Sequence, residues 1–126
     1  MIEAVLDVVG NTEPDVLLGN VQRSVKRSLP WFDFDESFQG SVCLVGGGPS
    51  LVDTIDQLKA RHQNGAKVWA MNGSYDHLQS QGIIPDVMVM LDARPENVRF
   101  VQNPQQSTTF YITSQCDDSV FDALEG

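Results

Sequence analysis

Residues 41–51 read SVCLVGGGPSL, and this stretch decides the fold class. Val42 to Val45 is a short apolar run, as in a strand buried within a sheet. Gly46, Gly47 and Gly48 end the run, and Pro49 or Ser50 can open a helix. Leu51, Ile55, Leu58 and His62 fall on one face of that helix, and Gly65 ends it. Strand, glycine turn and helix together make one β–α unit.

The alternation continues downstream. Lys67 to Met71 reads as a second strand ending at Asn72-Gly73. Ser74 then caps a short helix through Gln81, with Tyr75 and Leu78 inward and Gly82 as the C-cap. Val87 to Leu91 is apolar at every position, as in a strand covered on both faces, and it ends at Asp92. Arg94 to Phe100 is a short helix or turn. Thr109 to Thr113 is a fourth strand ending at Ser114-Gln115-Cys116, and Asp117 or Asp118 caps a last helix through Leu124. Such alternation predicts an α/β domain with right-handed crossovers and a short parallel sheet of about four strands. The expected strand order is 3-2-1-4, with an N-terminal helix over one face or an edge.

That helix is expected from Asp15 to Leu29. Val16, Leu18, Val21, Val25 and Leu29 recur at helical spacing, and Arg23, Lys26 and Arg27 complement the C-terminal end of the dipole. Pro30 stops it. The following segment, WFDFDESF, interleaves aromatic and acidic residues. It reads either as a connector that tucks Trp31, Phe32 and Phe34 against the core or as an oligomer contact.

Composition narrows the function classes. The 126 residues make one domain overall, with residues 1–40 as helix and connector ahead of residues 41–126. Eight Lys+Arg against seventeen Asp+Glu give a net charge of -9, which opposes nucleic-acid binding. No apolar run reaches the roughly 18 residues of a membrane span. The opening MIEAVLDVVG has no basic region of the signal-peptide type. Cys43 and Cys116 are too few for a disulfide scaffold or a structural zinc site. The expected location is the cytoplasm.

In a parallel sheet the strand ends share one rim, where ligands bind. Gly46 to Ser50, Asn72-Gly73-Ser74, Asp92-Ala93-Arg94 and Ser114-Gln115-Cys116 all fall there. Three glycines let backbone N–H groups approach an anion, and a helix N-terminus adds partial positive charge. The turn lacks a Walker lysine, and Leu51 breaks the dinucleotide fingerprint. The alternative is a tight turn with no ligand. Asn72 reads as a base- or phosphate-contacting amide or as part of a turn. Asp92 reads as a Mg²⁺ or ribose ligand or as a helix cap. Arg94 either neutralises a phosphate or pairs with Asp92 or Glu96. Asp86 precedes its strand and belongs to the opposite edge. His62 and His77 read as surface or boundary residues. Cys43 reads as buried and inert, and Cys116 has no evident base beside it.

Four motifs in order, GGGPSL, WAMNGSYDHL, GIIPDVMVMLDARPEN and FYITSQCDDSVFDAL, resemble one family. It is the 6-hydroxymethylpterin diphosphokinase-like family, which includes the motility accessory factors of flagellin glycosylation and has members in phage and environmental genomes. The first motif, with Asn72, also resembles CMP-sugar-dependent sialyltransferases. The resemblance implies a Rossmann-like three-layer sandwich over residues 41–126 and a nucleotide ligand, ATP or a CMP-sugar, with Mg²⁺. It implies phosphate contacts from Gly46, Gly47, Gly48 and Ser50, and nucleotide contacts from Asn72 and Gly73. Arg94, Ser114 and Gln115 complete the expected binding set. Asn72 and Asp92 are the expected catalytic residues, and Asp92 is the expected metal ligand. The chemistry implied is diphosphate transfer from ATP to a pterin alcohol, with glycosyl transfer as the alternative. Relatives continue beyond the equivalent of Gly126 with a segment that completes the acceptor site, so nucleotide binding without catalysis is a third expectation. Self-association through the N-terminal helix and Trp31-Phe32 is also expected.

Overall fold

The computed structural model describes residues 10–32 and 39–125. Phe34 and the first nine residues lie outside that range. Four strands form where the apolar runs predict them: β1 (Val42–Val45), β2 (Lys67–Met71), β3 (Val87–Met90) and β4 (Thr109–Ile112). Between and around them lie α1 (Pro14–Ser24), α2 (Leu51–Gln63), α3 (Ser74–Ser80), a 3-10 helix (Pro95–Val101) and α4 (Asp118–Glu125). Every strand pairing is parallel.

The strand order corrects the expectation. It is β1-β2-β3-β4, not 3-2-1-4, so β1 is an edge strand rather than a central one. Bonds at the foot of β3 explain why β4 stays beside it. Thr109 donates its N–H to the Asp86 carbonyl at 2.9 Å, and the Thr108 hydroxyl donates to the Pro85 carbonyl at 2.7 Å. The connections from β2 to β3 and from β3 to β4 carry helical segments of only seven residues each, enough to reach a neighbouring strand.

Right-handed crossovers that all step the same way put their helices on one face. The core shows this directly. Val45, Val68, Ala70, Met88 and Met90 from alternate strand positions join Leu58, Tyr75, Leu78, Val101, Val120 and Phe121 in one buried cluster. Among the described residues, the opposite face therefore carries none of the crossover helices that a three-layer sandwich would place there. Part of it is covered by residues 29–32, where Phe32 meets Tyr111 edge-on at 4.7 Å and Tyr111 meets Trp69 at 5.8 Å.

Helix α1 ends at Ser24, five residues before the expected Leu29. Its docking is polar. Val16 and Leu18 are exposed, whereas Asn20 and Ser24 are buried. Asn20 Nδ2 donates to the carbonyls of Gln115 (2.9 Å) and Ala93 (3.3 Å), and the Ser24 hydroxyl donates to the Ser114 carbonyl (2.7 Å). The helix thus sits over strand ends, where carbonyls need donors. Beyond it the chain turns, and Arg27 reaches Asp118 (3.0 Å), Asp122 (2.7 Å) and Glu125 (2.7 Å) on α4.

Asp86 ties the lower edge of the sheet together. Its carboxylate accepts from Lys67 Nζ at 2.7 Å and from the Val68 N–H at 2.9 Å. Burial opposes its ionisation, but these two donors outweigh burial and hold its carboxyl below the ordinary value. A depressed folded value means stability that is complete above the unfolded carboxylate pKa of about 3.9. That stability is lost as pH falls through the lower folded value. Asp86→Asn is expected to cost about 1–2 kcal/mol at neutral pH, a cost that fades as pH falls through the depressed Asp86 value. Urea unfolding of both proteins across this range checks it; a cost independent of pH would refute the assignment. Among the described residues no helix is long and apolar enough to cross a membrane.

Candidate functional site

The glycine turn leads from β1 into α2. None of Gly46, Gly47 or Gly48 has a positive φ; the glycines that do are Gly40, Gly65 and Gly82. Packing does not require glycine there either. A Cβ built on Gly46 meets nothing within 4 Å, one on Gly47 lies 4.0 Å from the Ser74 nitrogen, and one on Gly48 lies 3.9 Å from Ser50 Oγ. Three consecutive glycines that neither conformation nor packing demands leave an open, backbone-lined surface. Ser50 precedes α2 without a side-chain capping bond, so its hydroxyl is not used to close the helix.

The end of β2 lies beside this turn. Asn72 has φ 48°, the only non-glycine residue with positive φ among the described residues. That conformation is uncommon, although asparagine tolerates it better than most residues. Its Oδ1 is buried and accepts no hydrogen bond. A buried orphan acceptor costs about 1–3 kcal/mol, which an incoming donor would recover. Ser74 joins the two strand ends: its hydroxyl donates to the Val45 carbonyl at 2.8 Å and accepts from the Met71 N–H at 2.9 Å. Gly73 answers a packing need. A Cβ there would lie 2.9 Å from Phe100 Cε1, so glycine admits the Phe100 ring.

At the end of β3, Asp92 and Arg94 form a fork. Arg94 Nε lies 3.1 and 3.0 Å from the two carboxylate oxygens, Nη2 lies 2.5 Å from Oδ2, and the Arg94 N–H adds a bond to Oδ1 at 3.1 Å. The Arg94 guanidinium, foremost, holds the Asp92 carboxyl below its ordinary value. Of the alternatives for Arg94, the structure shows the pairing with Asp92. Two strand spacings, roughly 10 Å, separate the ends of β1 and β3.

A family model for 6-hydroxymethylpterin diphosphokinase MptE-like proteins matches residues 17–126. The chain belongs to this MptE-like family. Searches of curated proteins and of solved structures returned no match. At the level of chemistry the family is kinase- or transferase-like. Its matched region begins inside α1, so the polar docking of that helix lies within the MptE-like region rather than ahead of it.

The other expected rim residues make structural contacts of their own. Ser114 and Gln115 lie at the end of β4, three strand spacings or roughly 14 Å from the glycine strand. Their carbonyls anchor Ser24 and Asn20, and Gln115 Nε2 donates to the Leu91 carbonyl at 2.5 Å. Cys116 is fully buried, and burial pushes its thiol up, which keeps it unreactive. Among the described residues no group of three or more His, Cys, Asp or Glu is placed to hold a metal. Asp92, the expected metal ligand, has both carboxylate oxygens engaged by Arg94.

One part of the site escaped the sequence reading. A groove of about 260 Å³ runs from Gly46 and Ser50 along α2 past Thr54, Gln57 and Arg61. Ser50, Thr54, Gln57 and Arg61 recur at steps of four, three and four. That polar stripe was the available signal; it reads as an ordinary solvent face until the helix is placed beside the β1 edge.

Proposed function

We propose that this MptE-like chain binds ATP at the glycine turn and serves ATP-dependent diphosphate transfer to the hydroxymethyl group of a pterin. The observation that carries the reading is the turn itself: three glycines with no conformational or packing need, facing a helix N-terminus. The amides of Gly47 and Gly48, the Ser50 hydroxyl and the α2 dipole bind the phosphates. Asn72 Oδ1 accepts a donor from the nucleotide. In the transfer, the alcohol oxygen bonds to the β-phosphorus, the bond from that phosphorus to the α,β-bridging oxygen breaks, AMP leaves, and the alcohol proton passes to solvent. Mg²⁺ held by Asp92 and phosphate oxygens would screen charge on a protein of net charge -9. Arg94, half exposed, then turns from Asp92 to the phosphates. Such a reaction belongs in the cytoplasm, where ATP is available.

Calorimetric titration of ATP and of CMP, with and without Mg²⁺, tests the binding. ATP is expected to bind in a Mg²⁺-dependent way, and Asp92→Asn to weaken it roughly tenfold only when Mg²⁺ is present. Release of AMP on adding 6-hydroxymethylpterin tests the transfer. Binding of CMP without ATP would replace this reading with the glycosyl-transfer one, and binding of neither would remove it.

A further inference from the structure

The sheet face turned away from the core helices is largely apolar and, among the described residues, only partly covered, by residues 29–32. Strand alternation places Leu44, Trp69, Met71, Val89 and Tyr111 on it, opposite the buried Val45, Val68, Ala70 and Met90. Among the described residues, Lys67 is the one charged strand residue on that face, and Asp86 holds it at the lower edge. With Leu29, Trp31, Phe32 and Leu91, this face borders a groove of about 710 Å³.

We propose that a second copy of this chain covers this face, with the two sheets packed back to back about a twofold axis. Area is the first argument. Leu29, Trp31, Phe32, Leu44, Met71 and Leu91 are all exposed, and together they present on the order of 700 Å². A standard interface takes about 800 Å² from each partner, and a monomer rarely leaves so much apolar surface in water. Shape is the second. Trp31 is 76 % exposed and stands at the rim of an aromatic groove, so a twofold axis can set each indole against the other copy's groove. Charge is the third. The chain carries -9, yet Asp53, Asp56, Asp76 and Asp122 lie on helices of the other layer. Back-to-back packing keeps those acids on the two outer surfaces. Leu44 also lines the groove beside the glycine turn, so the two proposals are separated by readout, molecular mass for the one and nucleotide titration for the other.

Sedimentation equilibrium of the full chain, at about 1 to 100 µM, tests the proposal. The wild type is expected to show twice the monomer mass at the upper end. Trp31→Ala and Leu44→Lys are each expected to weaken association roughly 100-fold or more. Val52 is as exposed as Leu44 but lies on α2, so Val52→Lys is expected to leave the dimer intact. A melting temperature that rises with wild-type concentration gives a readout needing no variant. A wild-type monomer at the highest concentration overturns the proposal, whatever else covers the face. So does a Trp31→Ala or Leu44→Lys protein that remains dimeric.

Discussion

Gly47→Val is expected to abolish nucleotide binding while leaving the protein folded. The two halves of that result have separate causes. Gly47 has no positive φ, and its nearest neighbour on the side of a new Cβ is 4.0 Å away, so valine fits the native backbone. The melting temperature should move by no more than about 3 °C. The valine methyls, however, occupy the space through which a phosphate reaches the turn amides. Losing two hydrogen bonds to a charged group, at about 1.5–3 kcal/mol each, lowers affinity roughly 100-fold or more. Calorimetric titration of ATP with Mg²⁺ reads the first effect and a thermal melt reads the second. Unchanged affinity in a folded variant would show that phosphate does not bind at this turn.

Ser74→Ala should cost about 2–4 kcal/mol, the largest stability loss expected from one small substitution near the site. Ser74 is almost fully buried. Without its hydroxyl, the Met71 N–H and the Val45 carbonyl lose a partner that water cannot readily replace. For a domain of this size that corresponds to a fall of roughly 6–15 °C in melting temperature. ATP affinity should fall as well, because the same hydroxyl holds the glycine turn against Asn72-Gly73. A melting temperature within about 2 °C of wild type would mean that the hydroxyl contributes little.

Much of the scaffold is legible in the sequence because its signals are local. Each strand is an apolar run bounded by turn residues, although VMVML at 87–91, expected to be covered on both faces, leaves Val89 half-buried and Leu91 exposed. Some cap and stop residues are equally local: Gly65 and Gly82 follow α2 and α3 with positive φ, and Asp117 Oδ1 accepts the Ser119 N–H at 3.0 Å; but Ser74 bonds Met71 and Val45 instead of capping α3, and α1 stops at Ser24, ahead of Pro30. Strand order is not local. A crossover can step toward either neighbour, and the bonds that keep β4 beside β3 link Pro85 and Asp86 to Thr108 and Thr109, with no motif to announce them. The docking of α1 was hidden for a different reason. Amphipathic spacing gives weight to Val16 and Leu18, but the helix meets strand-end carbonyls, for which Asn20 and Ser24 are the suitable partners.

The candidate site divides in the same way. Glycine turn, Asn72 and Asp92 stand out because strand ends do not need such residues. What each one touches depends on distant chain. Gly73 is glycine because of Phe100, and the carbonyls of Gln115 and Ser114 meet Asn20 and Ser24 from far upstream in the chain. The Asp92–Arg94 pair was one of two readings that an i, i+2 spacing allows, and only the conformation after β3 selects it.

The polar docking of α1 bears on the order in which the chain matures. Each strand pairs with its immediate predecessor, so the sheet can extend as the polypeptide leaves the ribosome. Helix α1 cannot follow that schedule. The carbonyls that receive Asn20 and Ser24 belong to residues 73, 95 and 90 positions later. A nascent chain therefore carries this helix without its docking site until the end of β4 has been made. Engagement of α1 thus waits for β4, and the first helix among the described residues becomes one of the last to be secured.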